Sequence, residues 1–131
     1  MSDLERLLAE SEIERLILDY AAANDAGDWA RVAGFYTEDG RMNRPTTPGA
    51  FVEGRAAILT AFEARPARVA RHIVANIRVG VAGDSATASS QILLFTGAGE
   101  PPLVGSYADR LVLTDEGWRF VERRGSLDFA Q

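Results

Sequence analysis

The chain has 131 residues, 47% hydrophobic and 25% charged, which is typical of a globular protein, and we expect residues 1–131 to form one domain around a single core. Its formal net charge of −5 argues against nucleic acid or an anionic membrane surface as the main partner, because both require a basic face. The absence of cysteine excludes disulfides, thiolate metal sites and cysteine nucleophiles, and no segment approaches the about 20 apolar residues that span a bilayer.

The N-terminal third is predicted to be helical. The pairs Ser2/Glu5 and Ser11/Glu14 have the spacing of capping boxes, which predicts a short helix followed by a longer one that reaches Asp25. The longer helix carries a buried stripe at 3.6-residue spacing, formed by Ile13, Leu16, Ile17, Tyr20, Ala21 and Asn24.

A second predicted helix follows the first after a tight turn. Gly27 is suited to end the first helix, and Asp28 is suited to cap the next. The second helix is predicted to end around residues 38–40, with Trp29, Val32, Ala33 and Tyr36 on one face. 

The middle of the chain predicts short elements. Residues 41–44 and 51–53 resemble short strands, and the loop 45–49 contains two prolines, which we expect to prevent regular pairing there. Ile58, Leu59 and Phe62 indicate a third helix that ends before Pro66.

The second half of the chain predicts a sheet. Four long β-rich runs cover residues 69–81, 85–96, 103–114 and 118–129, and short turns separate them, which favours an antiparallel meander. Helices first and strands later indicate an α+β fold in which a curved sheet wraps the helices.

Strand alternation predicts which side chains share a face. In the first long strand, His72, Val74 and Asn76 fall on one face, and the opposite face is apolar, with Ile73, Ala75, Ile77 and Val79. We expect a second subunit to cover that apolar face, which predicts a homodimer or homotrimer formed through the convex side of the sheet.

The only histidine, His72, is the leading candidate for proton transfer, because its ordinary pKa of about 6.5 suits a base near neutral pH. Asp25 is the candidate carboxylate that fixes its tautomer. The structural alternative is that Asp25 only caps a turn and His72 is a surface residue. One histidine among dispersed carboxylates gives no recognised metal-ligand spacing, so we expect no metal site.

Further polar groups are candidates for the pocket wall. Tyr107 and Asp109 share a face of the third long strand, although a tyrosine on a sheet is more often packing. Arg123 and Arg124 must point to opposite faces, and one of them is suited to stabilise a departing anion. The ordinary alternative is an exposed cross-strand ion pair with Glu122.

Four features of the chain point to a known family. They are the pattern Tyr-x4-Asp-x-Gly-Asp-Trp at residues 20–29, the helix start at Gly54-Arg55, the strand with His72 and the final Gly-Trp-Arg strand. In these features the chain resembles the SnoaL-like branch of the nuclear-transport-factor-2-like (NTF2-like) superfamily. The resemblance covers nearly the whole chain, and within this branch the sequence is similar to scytalone dehydratase, the bile-acid 7α-dehydratases and hexachlorocyclohexane dehydrochlorinase. It implies a cone in which N-terminal helices pack on the concave face of a curved, mostly antiparallel mixed sheet. Catalytic Asp and His positions of the lyase members match Asp25 and His72, and a functional tyrosine of the bile-acid enzymes matches Tyr20.

We therefore predict a cofactor-independent lyase or isomerase of the cytoplasm that acts on a small, hydrophobic ring compound. In this hypothesis His72 removes a proton, Asp25 orients His72, and Tyr20 hydrogen-bonds a substrate oxygen. The predicted substrate-binding residues are Asn24, Trp29, Tyr36, Met42, Phe51, Val74, Asn76, Tyr107, Asp109 and Arg123.

Two alternatives remain open at this point. One is a non-catalytic domain for small-molecule binding or assembly, because a fold does not determine a function. The other is a polyketide cyclase with a larger pocket. The separation of Asp25 and His72 is the discriminator: contact inside an enclosed pocket favours an enzyme, and exposure of either residue to solvent favours binding or assembly.

Overall fold

Six strands form one curved mixed sheet, and three helices pack against it, in a computed structural model that describes residues 1–129. The elements are α1 (Asp3–Ala26), α2 (Trp29–Gly34), β1 (Tyr36–Arg44), β2 (Thr47–Glu53), α3 (Arg55–Glu63), β3 (Arg71–Ala82), β4 (Ser85–Phe95), β5 (Leu103–Thr114) and β6 (Gly117–Leu127). The strand order is β2-β1-β6-β5-β4-β3, and the sheet is not closed. The predicted α+β, NTF2-like architecture is confirmed.

The four predicted long strands correspond to β3 through β6. Each pairs antiparallel with the next along the chain, as short turns favour. Among the six strands that the structure describes, β1 and β6 are the one parallel pair, and this pairing makes the sheet mixed.

The first helix differs from the prediction of two helices, because α1 is continuous from Asp3 to Ala26. Ser2 does cap it, since its Oγ accepts a hydrogen bond of 3.1 Å from the backbone N–H of Glu5. Ser11 is exposed within the helix, where serine costs only a few tenths of a kcal/mol relative to alanine. The second capping box is therefore not used.

The turn after α1 forms as predicted. Gly27 adopts a left-handed φ of 71°, a conformation that glycine reaches without steric cost. The Asp28 side chain accepts a hydrogen bond of 3.3 Å from the backbone N–H of Arg31 and so caps α2.

Two predictions for the middle of the chain are wrong. The second helix ends at Gly34, and Tyr36 begins β1, because the backbone N–H of Phe120 donates to the Phe35 carbonyl at 2.8 Å and pairing with β6 continues from there. Pro48 lies inside β2, which pairs with β1. This is possible because β2 is an edge strand, where a missing backbone donor can face away from the sheet.

A bulge in β3 overturns the predicted alternation of its faces. Ala75 pairs with Gln91 and Arg78 pairs with Ser89, so one residue too many lies between them, and Asn76 takes a left-handed φ of 55°. Beyond the bulge, Ile77 and Val79 turn inward and pack against the core.

The predicted continuous apolar outer face of β3 is therefore wrong, because Ile77 and Val79 do not belong to it. The outer side instead exposes Ile73, Ala75 and, after the bulge, Arg78. The homodimer or homotrimer remains a prediction, but a continuous apolar outer face of β3 no longer supports it.

A second bulge determines which arginine of β6 points inward. Phe120 pairs with Leu111 and Glu122 pairs with Arg110, so Val121 is the extra residue. Arg123 is 2% exposed, whereas Arg124 is exposed on the outer side, and the prediction that they point to opposite faces is confirmed.

The core lies between α1, α3 and the concave face of the sheet. Its largest fully buried side chains are Tyr36, Phe62, Phe120, Ile13, Ile17, Ile58, Leu111 and Val32. These residues come from both halves of the chain, so the helices and the sheet must assemble together to exclude water. Within residues 1–129, no helix has the length and apolar character needed to span a membrane.

Candidate active site

A cavity of about 330 Å³ opens between the last turns of α1, the end of α3 and the concave side of the sheet. Its wall combines aromatic and aliphatic side chains with several arginines. Seven residues predicted from the sequence line it: Tyr20, Asn24, Tyr36, Met42, His72, Tyr107 and Arg123.

Asp25 lies behind His72 and holds it through both backbone and side chain. The ring Nδ1 of His72 is 2.5 Å from Asp25 Oδ1, and the backbone N–H of His72 donates to Asp25 Oδ2 at 2.9 Å. The two side chains are only 10% and 15% exposed. The last turn of α1 thus reaches the start of β3, and two bonds to one carboxylate fix the position of the imidazole.

This contact determines which ring nitrogen of His72 is free to accept a proton. An ionised carboxylate only accepts hydrogen bonds, so Nδ1 carries the proton and Nε2 of the neutral ring has a free lone pair. Burial lowers the pKa of His72; the hydrogen bond and charge of Asp25 oppose this effect, and the positive charges of Arg68 and Arg123 add to it. His72 is therefore a neutral base at neutral pH.

Tyr20 and Tyr36 form a buried hydroxyl pair on the cavity wall, with 2.8 Å between their oxygens. Burial raises the pKa of Tyr20 to about 12 and that of Tyr36 well above its ordinary value, so both phenols are neutral. One hydroxyl donates to the other, and the accepting tyrosine keeps its own hydrogen. The pair can therefore offer one O–H donor to a bound molecule.

Arg123 brings a fixed positive charge to the cavity wall. Its Nε donates to Asp109 Oδ1 at 3.0 Å, and the two side chains are 3% and 0% exposed. Burial lowers the pKa of Arg123, but the Asp109 carboxylate together with the neighbouring tyrosines outweighs this effect, and the net shift is upward. Burial also raises the pKa of Asp109 to about 6, although Arg123 opposes the shift, so both groups are ionised at neutral pH.

The environment of Arg123 is aromatic. Its guanidinium carbon lies 3.8 Å from the ring centre of Tyr107 and 4.5 Å from that of Tyr20. Asp109 itself does not line the cavity, and its role in the structure is to hold Arg123. Among residues 1–129, no group accepts a hydrogen bond from Nη2 of Arg123, which is buried.

Two predicted lining residues pack behind the cavity wall instead. Trp29 stacks on Phe62 with 5.4 Å between ring centres, and Val74 packs against the core. Neither residue lines the cavity, so both predictions of a direct wall position are wrong; next to Trp29, the lining residue is Phe62.

Phe51 and Asn76 lie farther away, and their predicted positions are also wrong. The guanidinium carbon of Arg41 lies 4.0 Å from the centre of the Phe51 ring. Phe51 does not line the cavity. Asn76 is exposed in the β3 bulge, where its side-chain N–H donates to Gln91 Oε1 at 2.5 Å. The bulge turns this side chain away from the face that carries His72.

Sequence reasoning missed five polar residues of the wall: Asn43, Arg44, Thr46, Arg65 and Arg68. The amide of Asn43 bridges the Pro48 carbonyl and the backbone N–H of Gly125. No periodic pattern links Arg44 at the end of β1 to the loop after α3, so the sequence contained no local signal for the cluster. In the described part of the chain, no three carboxylate or histidine side chains are grouped so that they could hold a metal ion.

Solved structures resemble this chain over nearly its full length. An NTF2-like protein with a cystatin-like fold from Novosphingobium aromaticivorans is 28% identical, with a TM-score of 0.87 over 98% of this chain and 87% of that one. The Rv3472 protein of Mycobacterium tuberculosis, of unknown function, is 27% identical, with a TM-score of 0.85 over 99% of this chain and 78% of that one. A candidate scytalone dehydratase from N. aromaticivorans is 25% identical, with a TM-score of 0.79 over 97% of this chain and 87% of that one.

A search of curated protein sequences found no match. The model of the SnoaL-like domain matches residues 5–124, which is most of the chain. Together with the fold, this match shows that the chain belongs to the SnoaL-like domain family.

Proposed function

We propose that this protein is a lyase or isomerase in which His72 abstracts a proton from a small cyclic substrate. The observation that carries the proposal is the 2.5 Å contact between His72 Nδ1 and Asp25 Oδ1 beside the cavity that His72 lines. Contact between these two side chains in a largely buried setting favours catalysis over binding or assembly alone. A similar structure of a candidate scytalone dehydratase also favours an elimination.

The chemistry begins at Nε2 of His72. This nitrogen takes a carbon-bound proton, and the electron pair of the broken C–H bond forms a new double bond. In an elimination, a neighbouring substituent leaves with its own bonding pair. In an isomerisation, the pair delocalises onto a substrate carbonyl oxygen, and the imidazolium then returns the proton to a different carbon. Asp25 stabilises the imidazolium that results, and proton transfer of this kind contributes about 10²–10⁴-fold to rate.

Two other groups are suited to the negative charge that develops on the substrate. The Tyr20/Tyr36 pair keeps one free O–H donor, and a neutral phenol can stabilise an oxyanion by donating to it. Arg123 adds a positive charge in a setting from which water is largely excluded, where electrostatic stabilisation is stronger than in bulk solvent. No cofactor is required for these steps.

Base-promoted ring opening of 5-nitrobenzisoxazole tests the proposal, because this reaction consists of proton abstraction from carbon and cleavage of the ring N–O bond, whose electron pair goes to the oxygen as a phenolate. We expect the wild-type rate to exceed that of His72→Ala by at least about 10²-fold, with Asp25→Asn also strongly impaired. Asp19→Asn is the matched control, because it removes another carboxylate of α1 that is exposed to solvent. Equal rates for the wild type and His72→Ala would contradict the proposal and favour a domain that only binds.

A further inference from the structure

The charge of the cavity wall is unbalanced. Within residues 1–129, no aspartate or glutamate lines it, whereas five side chains that can carry positive charge do: Arg44, Arg65, Arg68, His72 and Arg123. Asp109 compensates Arg123, and Asp25 holds His72, both from outside the wall. The remaining three arginines, which we call the mouth cluster, form no salt bridge with any residue from 1 to 129. 

Two of the three arginines of the mouth cluster lie around one aromatic ring. The guanidinium carbons of Arg65 and Arg44 lie 4.2 Å and 5.9 Å from the ring centre of Phe62. Arg44 is also fixed by a hydrogen bond of 2.9 Å from its Nη2 to the Ala61 carbonyl. Two guanidinium groups from distant parts of the sequence therefore meet at the same side chain.

Burial and neighbouring positive charges both act on Arg65. It is half-buried, and burial together with the charges of Arg44 and Arg68 lowers its pKa to about 10. Arg65 still carries its charge at neutral pH, so like charges face one another in a partly dry site. An anion placed among them would replace repulsion with attraction.

We propose that the natural ligand of this cavity carries a carboxylate that binds to the mouth cluster. A guanidinium offers a planar fork of donors that matches the two oxygens of a carboxylate. The chain as a whole has a net charge of −5 and would repel an acidic molecule at long range, so the local cluster supplies the attraction. The substrate class is then a cyclic carboxylic acid rather than a neutral hydrophobic ring.

This inference rests on the proposed function for the orientation of the ligand. With the carboxylate held at the mouth cluster, the ring enters the part of the cavity that His72 and Tyr20 line. The acidic group then serves for binding and positioning, and it takes no part in proton transfer. Binding energy gained away from the reacting carbon can orient that carbon toward His72.

Calorimetric titration with 2-naphthoate and 2-naphthamide tests the inference, because the two probes share a ring system and differ mainly in charge. At neutral pH and low salt, we expect wild-type protein to bind the naphthoate about 10–100-fold more tightly than the naphthamide, because hydrogen bonds between charged groups strengthen binding by about this factor. Arg65→Gln should lose most of this preference, and Arg65→Lys should keep part of it. Arg68→Gln should also reduce it, in an exposed position where folding is not at risk.

Arg71→Gln is the matched control. Arg71 is exposed next to His72 and does not line the cavity, so its replacement removes the same charge without changing the mouth cluster. The inference is overturned if both probes bind equally, if naphthoate does not bind, or if Arg65→Gln and Arg71→Gln keep the same preference. Because binding needs no turnover, these results would leave the role of His72 intact, and an inactive dyad would leave the carboxylate preference intact.

Discussion

The buried pair of Asp109 and Arg123 gives the sharpest prediction for stability. Their side chains are 0% and 3% exposed, and they share one hydrogen bond of 3.0 Å. Asp109→Ala leaves a guanidinium buried without its counter-charge, which we expect to lower the free energy of unfolding by about 3–5 kcal/mol. For a domain with a total stability of roughly 5–15 kcal/mol, this is a large part of the whole.

Urea denaturation followed by circular dichroism measures the effect. The control is Asp19→Ala, which breaks the pair of Asp19 with Arg31, where the charged atoms are 3.7 Å apart and the side chains are 43% and 54% exposed. Such an exposed pair is worth less than about 1 kcal/mol because solvent screens it. If Asp109→Ala cost no more than Asp19→Ala, the argument that Arg123 depends on its counter-charge would be refuted.

A double variant separates stability from function. Asp109→Leu combined with Arg123→Met replaces both charges with apolar groups of similar size, and we expect a stability within about 2 kcal/mol of the wild type or above it. The same variant should lose turnover, because the cavity wall loses the charge that stabilises the developing anion. A stable but inactive variant would indicate that the pair is retained for function.

Two further predictions concern pH and packing. NMR titration of the only histidine should give a His72 pKa below 6.5, and a lower one still in Asp25→Asn, because Asp25 opposes the effect of burial. At His72 the folded state then binds fewer protons than the unfolded state, so the contribution of His72 to stability should fall as the pH drops below about 6.5. Asp109, whose pKa burial raises to about 6, acts in the opposite direction at lower pH, so the contribution of His72 is taken from the difference between the wild type and His72→Ala in urea denaturation. Gly125→Ala should destabilise by about 1–3 kcal/mol in urea denaturation, because its Cβ would lie 2.7 Å from the Pro45 ring. Gly34→Ala is the control, since a Cβ there meets nothing within 4 Å.

Local signals were sufficient for much of the fold. Ser2, Gly27 and Asp28 determine the ends of helices through their own side chains or backbone freedom, so the sequence predicts them directly. The four long strands were also predictable, because short turns make their partners neighbours in the chain. The approach of Asp25 to His72 came from the family resemblance, because no local rule relates residues that far apart.

The errors arise where distant parts of the chain decide the local structure. Tyr36 belongs to a strand because β6 pairs with it, and Asn76 faces outward because one extra residue in β3 shifts the alternation. Strict period-two alternation cannot show such a shift. The mouth cluster was missed for the same reason, since Arg44 and Arg65 meet only after β1 and α3 have packed together.

The mouth cluster and His72 should be coupled through charge. The positive charges of Arg68 and Arg123 contribute to the lowered pKa of His72. A carboxylate bound at the mouth cluster would neutralise the field of Arg68, so the pKa of His72 should rise when 2-naphthoate binds. By linkage, the naphthoate should bind more tightly to the protonated form of His72 than to the neutral form.

The single histidine signal makes this coupling measurable by NMR titration with each probe present at saturation. 2-Naphthamide fills the same space without charge, so it controls for the burial that any ligand adds, and burial acts in the opposite direction by lowering the pKa. An upward shift with naphthoate relative to naphthamide is expected, and Arg68→Gln should reduce the difference. Equal shifts with the two probes would contradict the coupling. If the coupling holds, substrate binding makes the base of the dyad stronger, because an imidazole with a higher pKa accepts a carbon-bound proton more readily.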